Sequence, residues 1–231
     1  MFFEIPTVTL FISCLLSRTI NSEFDQTNFS VIPSQGTVSL SIHCAELVSH
    51  KSRLHNGSFH HLHGLQDLTI KYCKLSHLPT GSLAGLQRLD NLTVQTFPQP
   101  EHPVSLSVEE GSLAGLPHLN SLSLSHSGVW RLPDGELCSV PSLTSLNMSH
   151  NNLKDVTDLG IGRGDNCRLM SLATLDLSFN DLRQVARDAF SSAANLKLLL
   201  LSNNQISQVH DGALNGLGDL KTLDLSGNYK Y

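Results

Sequence analysis

Residues Leu172–Asn180 read LATLDLSFN, with leucine at the first, fourth and sixth positions and asparagine at the last. In an extended strand successive side chains point to opposite faces, so Leu175 and Leu177 share the inside of a coil while Asp176 faces outward. The chain must then turn back. That turn leaves backbone amides and carbonyls inside the coil without strand partners, and the carboxamide of Asn180 can donate to and accept from them. The leucines therefore read as the floor of a core and the asparagine as the stitch at its corner.

The same outline recurs along the chain. LQDLTIKYC begins at Leu65, LDNLTVQTF at Leu89, LNSLSLSHS at Leu119, LTSLNMSHN at Leu143, LKLLLLSNN at Leu196 and LKTLDLSGN at Leu220. Including Leu172, the starts differ by 24, 30, 24, 29, 24 and 24 residues. Periods of this size announce a solenoid. A second register keeps step with the first, because a bulky apolar residue stands six positions before most starts: Phe59, Leu83, Leu113, Leu137, Phe190 and Leu214. The corner position falls on Cys73, Phe97, Ser127, Asn151, Asn180, Asn204 and Asn228. One coil cannot bury its own apolar face, so stability has to come from stacking neighbours. The expected class is an α/β leucine-rich repeat solenoid, a horseshoe with parallel strands on its concave face and an amino-terminal cap. Residues 1–13 are expected to be a leader or a weak signal-like segment. Residues 14–64 should form the cap and a first irregular repeat, and 65–231 leucine-rich repeats that stop without a carboxy-terminal cap.

Composition narrows the function classes. The chain has 231 residues, 40% of them hydrophobic, and a formal net charge of −5. That charge gives no basic footprint for nucleic acid. The longest apolar stretch, Val8 to Leu16, is about half of the ~20 residues a membrane helix needs. It resembles the apolar part of a secretion signal, but Glu4 precedes it and no Lys or Arg appears before Arg18. No nucleophile elbow, HExxH, CxxC or phosphate-binding loop is present, so no enzyme activity and no cofactor are expected.

Cysteines and sequons speak to the compartment. The five cysteines are Cys14, Cys44, Cys73, Cys138 and Cys167. Cys138 follows Leu137, and Cys167 follows Asn166, which holds the same slot one repeat later. Equivalent positions on adjacent coils stand ~5 Å apart, within reach of a disulfide. Asn-x-Ser/Thr sequons occur at Asn28, Asn56, Asn91 and Asn147. Together with register-matched cysteines they point to the secretory route. Asn147 sits mid-strand, where a glycan would obstruct the concave sheet.

The outward strand positions Thr69, Thr93, Ser123, Asn147, Asp176, Leu200 and Asp224 are the candidate contact surface, and Leu200 is apolar among polar neighbours. Arg163-Gly164-Asp165 spells a tripeptide that integrins read, but it lies in a glycine-rich loop and is read as a chance match. His60, His61 and His63 lie in a return arm and read as exposed histidines rather than a convergent metal site.

Three stretches carry a resemblance. The cap-like segment Arg18–Cys44, then LTIKYCKLSHLPTGSLAGLQRLDNLTVQT and VWRLPDGELCSVPSLTSLNMSHNNLKDV, resemble the start of insect Toll receptor ectodomains, in the Tollo-like long-ectodomain branch. The resemblance covers the chain from Cys14 onward and includes cap and insert residues outside the leucine stencil. It implies a type I membrane receptor with an extracellular horseshoe, one transmembrane helix and a cytoplasmic TIR domain, acting in innate immune or developmental signalling. The implied partners are a cystine-knot cytokine or another cell-surface receptor. The implied location is the extracellular side of the plasma membrane, or secretion if the chain is complete; a secreted decoy or adhesion fragment is the alternative. The family cap also implies a Cys14–Cys44 bond, while Cys44 with Cys73 remains geometrically open.

Overall fold

The computed structural model describes residues 8–14, 24–25, 29–44, 51–96, 105–161 and 167–229. Nine strands form one parallel sheet in chain order: β1 (Val8–Cys14), β2 (Thr37–Cys44), β3 (Asp67–Cys73), β4 (Asn91–Thr96), β5 (Ser121–Ser123), β6 (Ser145–Asn147), β7 (Thr174–Asp176), β8 (Leu198–Leu200) and β9 (Thr222–Asp224). Every neighbouring pair in sequence is a neighbouring pair in space. That is the connectivity of a solenoid, in which each coil packs on the one before and the one after.

Register follows from the leucines. Leu68, Leu92, Leu122, Leu146, Leu175, Leu199 and Leu223 lie opposite one another from β3 to β9. A slip of one residue would turn this whole set outward. With the following row (Ile70, Val94, Leu124, Met148, Leu177, Leu201) they build one continuous core. Phe59, Leu83, Leu113, Leu137 and Phe190 close it from the return arms, all fully buried, and Leu214 is partly buried against it.

The return arms depart from the α/β expectation. Among the described residues they contain turns, two-residue strands and four short 3-10 segments, and no α-helix. A period of about two dozen residues, shared between strand, corner and return, leaves few positions for the arm, and glycines interrupt it. Gly160 shows how tight the arms are: at φ 67 it ends the 3-10 segment Val156–Leu159, and a Cβ there would fall onto the carbonyl of Pro133. The architecture is a parallel β-solenoid. No helix among the described residues is long and apolar enough to cross a membrane.

Among the described residues two disulfides tie coils together. Cys138 and Cys167 are bonded with Cα atoms 5.4 Å apart. Cys44 is bonded to Cys73, Cα atoms 4.9 Å apart, which corrects the Cys14–Cys44 pairing implied by the family cap. Cys14 does stand opposite Cys44 in the register of β1 and β2. The sulfur of Cys44 makes one bond, however, and it reaches the other way. At the end of β3 Tyr72 takes a left-handed step at φ 61, so the chain turns just before the cysteine.

Candidate recognition surface

The corner asparagines hold the sheet's edge in place. Asn180 Oδ1 accepts from Leu153 N at 3.0 Å, and its Nδ2 donates to Met148 O at 2.9 Å and Leu177 O at 3.0 Å. Asn204 repeats this with Leu182 N, Leu177 O and Leu201 O, and Asn228 with Ile206 N, Leu201 O and Leu225 O. Asn151 Oδ1 takes two amides of the preceding coil, Ser127 N and Val129 N. Each carboxamide thus binds its own coil to the preceding one, a wider span than the single corner read from the sequence. Earlier in the chain Ser127 fills the position with its hydroxyl, donating to Val94 O and accepting from Thr96 N. Cys73 fills it with a disulfide. Phe97 lies outside the described residues.

On the outer face of the sheet Ser41, Thr69, Thr93, Ser123, Asn147, Asp176, Leu200 and Asp224 stand in one unbroken cross-strand row. All eight are half-buried. Several are fixed by the serine two residues on. Asp176 Oδ1 accepts from Ser178 N at 2.9 Å and Ser178 Oγ at 2.6 Å, and Asn147 Oδ1 takes the same pair of donors from Ser149. Asp224 Oδ1 accepts from Ser226 N at 2.9 Å. Hydrogen bonds from the Ser226 hydroxyl and amide, with a further one from the Ser202 hydroxyl, hold the Asp224 carboxyl below its ordinary range against slight desolvation.

Leu200 is joined by a residue that sequence reading missed. Leu198 also points outward from β8, between Thr174 and Thr222, while Leu200 lies between Asp176 and Asp224. The alternation of LKLLLLSNN signals this, since a run of four leucines cannot keep all of them inside a strand.

Other expected sites have plain placements. Asn56 is exposed. Asn91 Nδ2 donates to Asp67 Oδ1 at 2.7 Å and Asp90 Oδ2 at 3.1 Å. Asn28 and the Arg163–Asp165 tripeptide lie outside the described residues. His60 Nδ1 meets Gly57 O at 2.7 Å, and its ring stands edge-on to His61, centroids 5.7 Å apart. His63 is exposed, and these rings do not converge with a third ligand among the described residues.

Two further features had no sequence signal strong enough to find. Glu136 is buried beside Leu137, and its carboxylate accepts from Gly111 N at 2.7 Å, Leu113 N at 2.6 Å and Ser112 Oγ at 3.2 Å on the preceding coil. The step just before the corner forms a column: His126 stacks on His150 with centroids 4.0 Å apart, and His150 on Phe179 at 4.1 Å. Burial first, then the neighbouring charge of His150, lowers the His126 pKa.

Comparison with known proteins agrees with this architecture. A leucine rich repeat family model matches residues 106–153 and 170–229. A curated relative, Toll-like receptor 7 of Drosophila melanogaster, is 32% identical over 195 residues, which is 81% of this chain and 14% of that receptor. Among solved structures, the one titled as a TLR13-ssRNA13 complex superposes with a TM-score of 0.68 at 23% identity, covering 84% of this chain and 26% of that one. The mouse RP105/MD-1 complex gives 0.53 at 20% identity, covering 84% and 39%. The chain therefore spans a small part of the relatives it matches. Coils in register and a corner ladder of carboxamides make the chain a leucine-rich repeat solenoid, similar over most of its length to a short part of a Toll-like receptor.

Proposed function

We propose that this chain is the ligand-recognition part of a Toll-type receptor acting in innate immune or developmental signalling, displayed on the extracellular side of the plasma membrane. It binds another extracellular protein, a cystine-knot cytokine or a second cell-surface receptor. The observation that carries this reading is the outer row of the sheet. Eight strand positions stand side by side with no segment of the chain described over them, and β8 supplies a small apolar rib, Leu198 between two threonines and Leu200 between two aspartates. Single exposed leucines are ordinary, but a pair on one strand of the sheet, one of them flanked by two oriented aspartates, is a contiguous feature. Two disulfides and an exposed sequon at Asn56 support passage through the secretory pathway. Asn56 is the position we assign to a glycan among the described sequons, because the Asn91 amide is already held by two carboxylates.

The test immobilises the full chain and passes cystine-knot cytokines and Toll-type receptor ectodomains over it. Binding by one of these, weakened at least about tenfold by Leu200→Glu with the unfolding midpoint unchanged, is the expected result; a desolvated contact residue costs more than about 1.4 kcal/mol when replaced by a charge. Equal binding by the variant would remove the concave row from the reading, and absence of binding by every member of both classes would overturn it.

A further inference from the structure

The column His126–His150–Phe179 does no work in the recognition reading, yet it is an unusual arrangement. All three residues are exposed. Their backbones lie in the left-handed region at φ 54, 55 and 55, a conformation that costs a non-glycine residue about 1–2 kcal/mol. All three donate their backbone N–H to the serine carbonyl of the next coil: His126 to Ser149, His150 to Ser178 and Phe179 to Ser202, at 3.0–3.1 Å. The rings are thus the outer end of the turn that makes the inter-coil staple. Aromatic stacking favours that turn, and between the two imidazoles it does so as long as they are not both charged.

We propose that this column is a proton-responsive latch: the two imidazoles stack when neutral and hold the corner closed, and their protonation, 4.0 Å apart, pushes them apart and loosens the staples at His126 and His150. The surroundings offer little to quench the charge. The outward side chains of β5 and β6 are Ser121, Ser123, Ser145 and Asn147, with Ser125 and Ser149 following, none of them ionisable. On the next coil Phe179 takes the stacked position, and the nearest strand carboxylate, Asp176, is already engaged by Ser178. On the chain leaving the corner, Arg131 pairs with Asp134 and Asp181 accepts from Gln205, while Lys154 adds a further positive charge. The lowered affinity of His126 for a proton has the matching sign. A group that binds protons less readily when folded than when unfolded contributes stability above the ordinary histidine range and loses it as the pH falls.

The experiment uses the full chain with its histidines isotopically labelled. Histidine ring shifts are followed by NMR from pH 8 to 5, and amide exchange at His126 and His150 is compared at the two ends after correction for intrinsic rates. Asn203 is the control, because it occupies the same left-handed step and staples to Ser226 but carries no ring. Acid should accelerate exchange at His126 and His150 at least about fivefold over Asn203, the equivalent of about 1 kcal/mol, the repulsion of two unit charges 4 Å apart in water. His150→Phe should keep the staple and abolish the acceleration, since Phe179 demonstrates that phenylalanine fits this step. His150→Ala, which removes the ring, should raise exchange at both pH values, the signature of a purely structural role. Should His150→Phe misfold, His126→Phe takes its place. No acceleration in the unmodified chain, or the same acceleration in the phenylalanine variant, overturns the proposal.

Discussion

Met148 and Leu177 each accept hydrogen bonds from two carboxamides, their own coil's and the next coil's. Removing Asn180 therefore leaves both carbonyls with one donor each, but it orphans Leu153 N, whose acceptor is Asn180 Oδ1. A buried unsatisfied amide costs ~1–3 kcal/mol, and the lost packing adds to it, so Asn180→Ala should destabilise by about 2–4 kcal/mol. Asn180→Asp tests the direction of the donors. The aspartate keeps an acceptor for Leu153 but turns a carboxylate oxygen toward two carbonyls that expect a proton. It should therefore be worse than alanine at pH 7. Burial and those carbonyls raise its pKa in the folded chain, so acidification should restore stability to the Asp variant relative to Ala as the carboxyl gains a proton it can donate. Urea unfolding of both variants at pH 7 and near pH 4 measures this. An Asp variant equal to Ala at both pH values would show that the ladder does not depend on the donors of Nδ2.

Strands and return arms were legible in the sequence to different degrees, for a physical reason. A strand phrase has a period of two and buries every second residue, so LxL states both its structure and its facing; the outer row from Thr69 to Asp224 could be read directly from it. A return arm has no such period. Its conformation is set by what the adjacent coil offers, and Glu136 illustrates the point, since its acceptors become meaningful only once Gly111 N and Leu113 N are known to lie opposite. The column was hidden for the same reason: SHS, SHN and SFN look like unrelated tripeptides until stacking aligns them. At Cys44 a family pattern suggested one neighbouring coil, and the structure bonds it to Cys73 on the other. The Cys138–Cys167 bond is the element-scale case to test. It closes a sequence separation of 29 residues that contains β6 and the capped 3-10 segment Val156–Leu159. Chain entropy gives a loop of this size at most about 3–4 kcal/mol. Cys138→Ala with Cys167→Ala should lower the unfolding free energy by up to that amount and leave the circular dichroism of the folded chain unchanged, because no strand hydrogen bond depends on the sulfurs. Loss of the folded spectrum would mean that the bond shapes the native state as well as restricting the unfolded one.

At the scale of the whole molecule, stability in a solenoid is local: each coil is worth its own folding cost plus what it gains from its neighbours. Interior strands have two neighbours and β9 has one among the described residues. The consequence is visible along a single row of the core, where Leu146, Leu175 and Leu199 are fully buried while Leu223 is 36% exposed. A fully buried leucine contributes ~1.5–3 kcal/mol relative to an exposed one, so the last coil retains only part of that gain. Backbone order should then decline stepwise toward β9 rather than end in one cooperative front, since opening of an edge coil costs less than opening of an interior one. Native-state hydrogen exchange gives the measurement. The amides of Leu175 and Leu199 should exchange only through large-scale opening, and that of Leu223 orders of magnitude faster. Fusing one further leucine-rich coil after residue 229 should slow Leu223 toward its interior counterparts and leave Leu175 unchanged. Uniform protection from β7 to β9 without such a fusion would mean that the coils unfold as one unit and that nearest-neighbour stacking does not govern this chain.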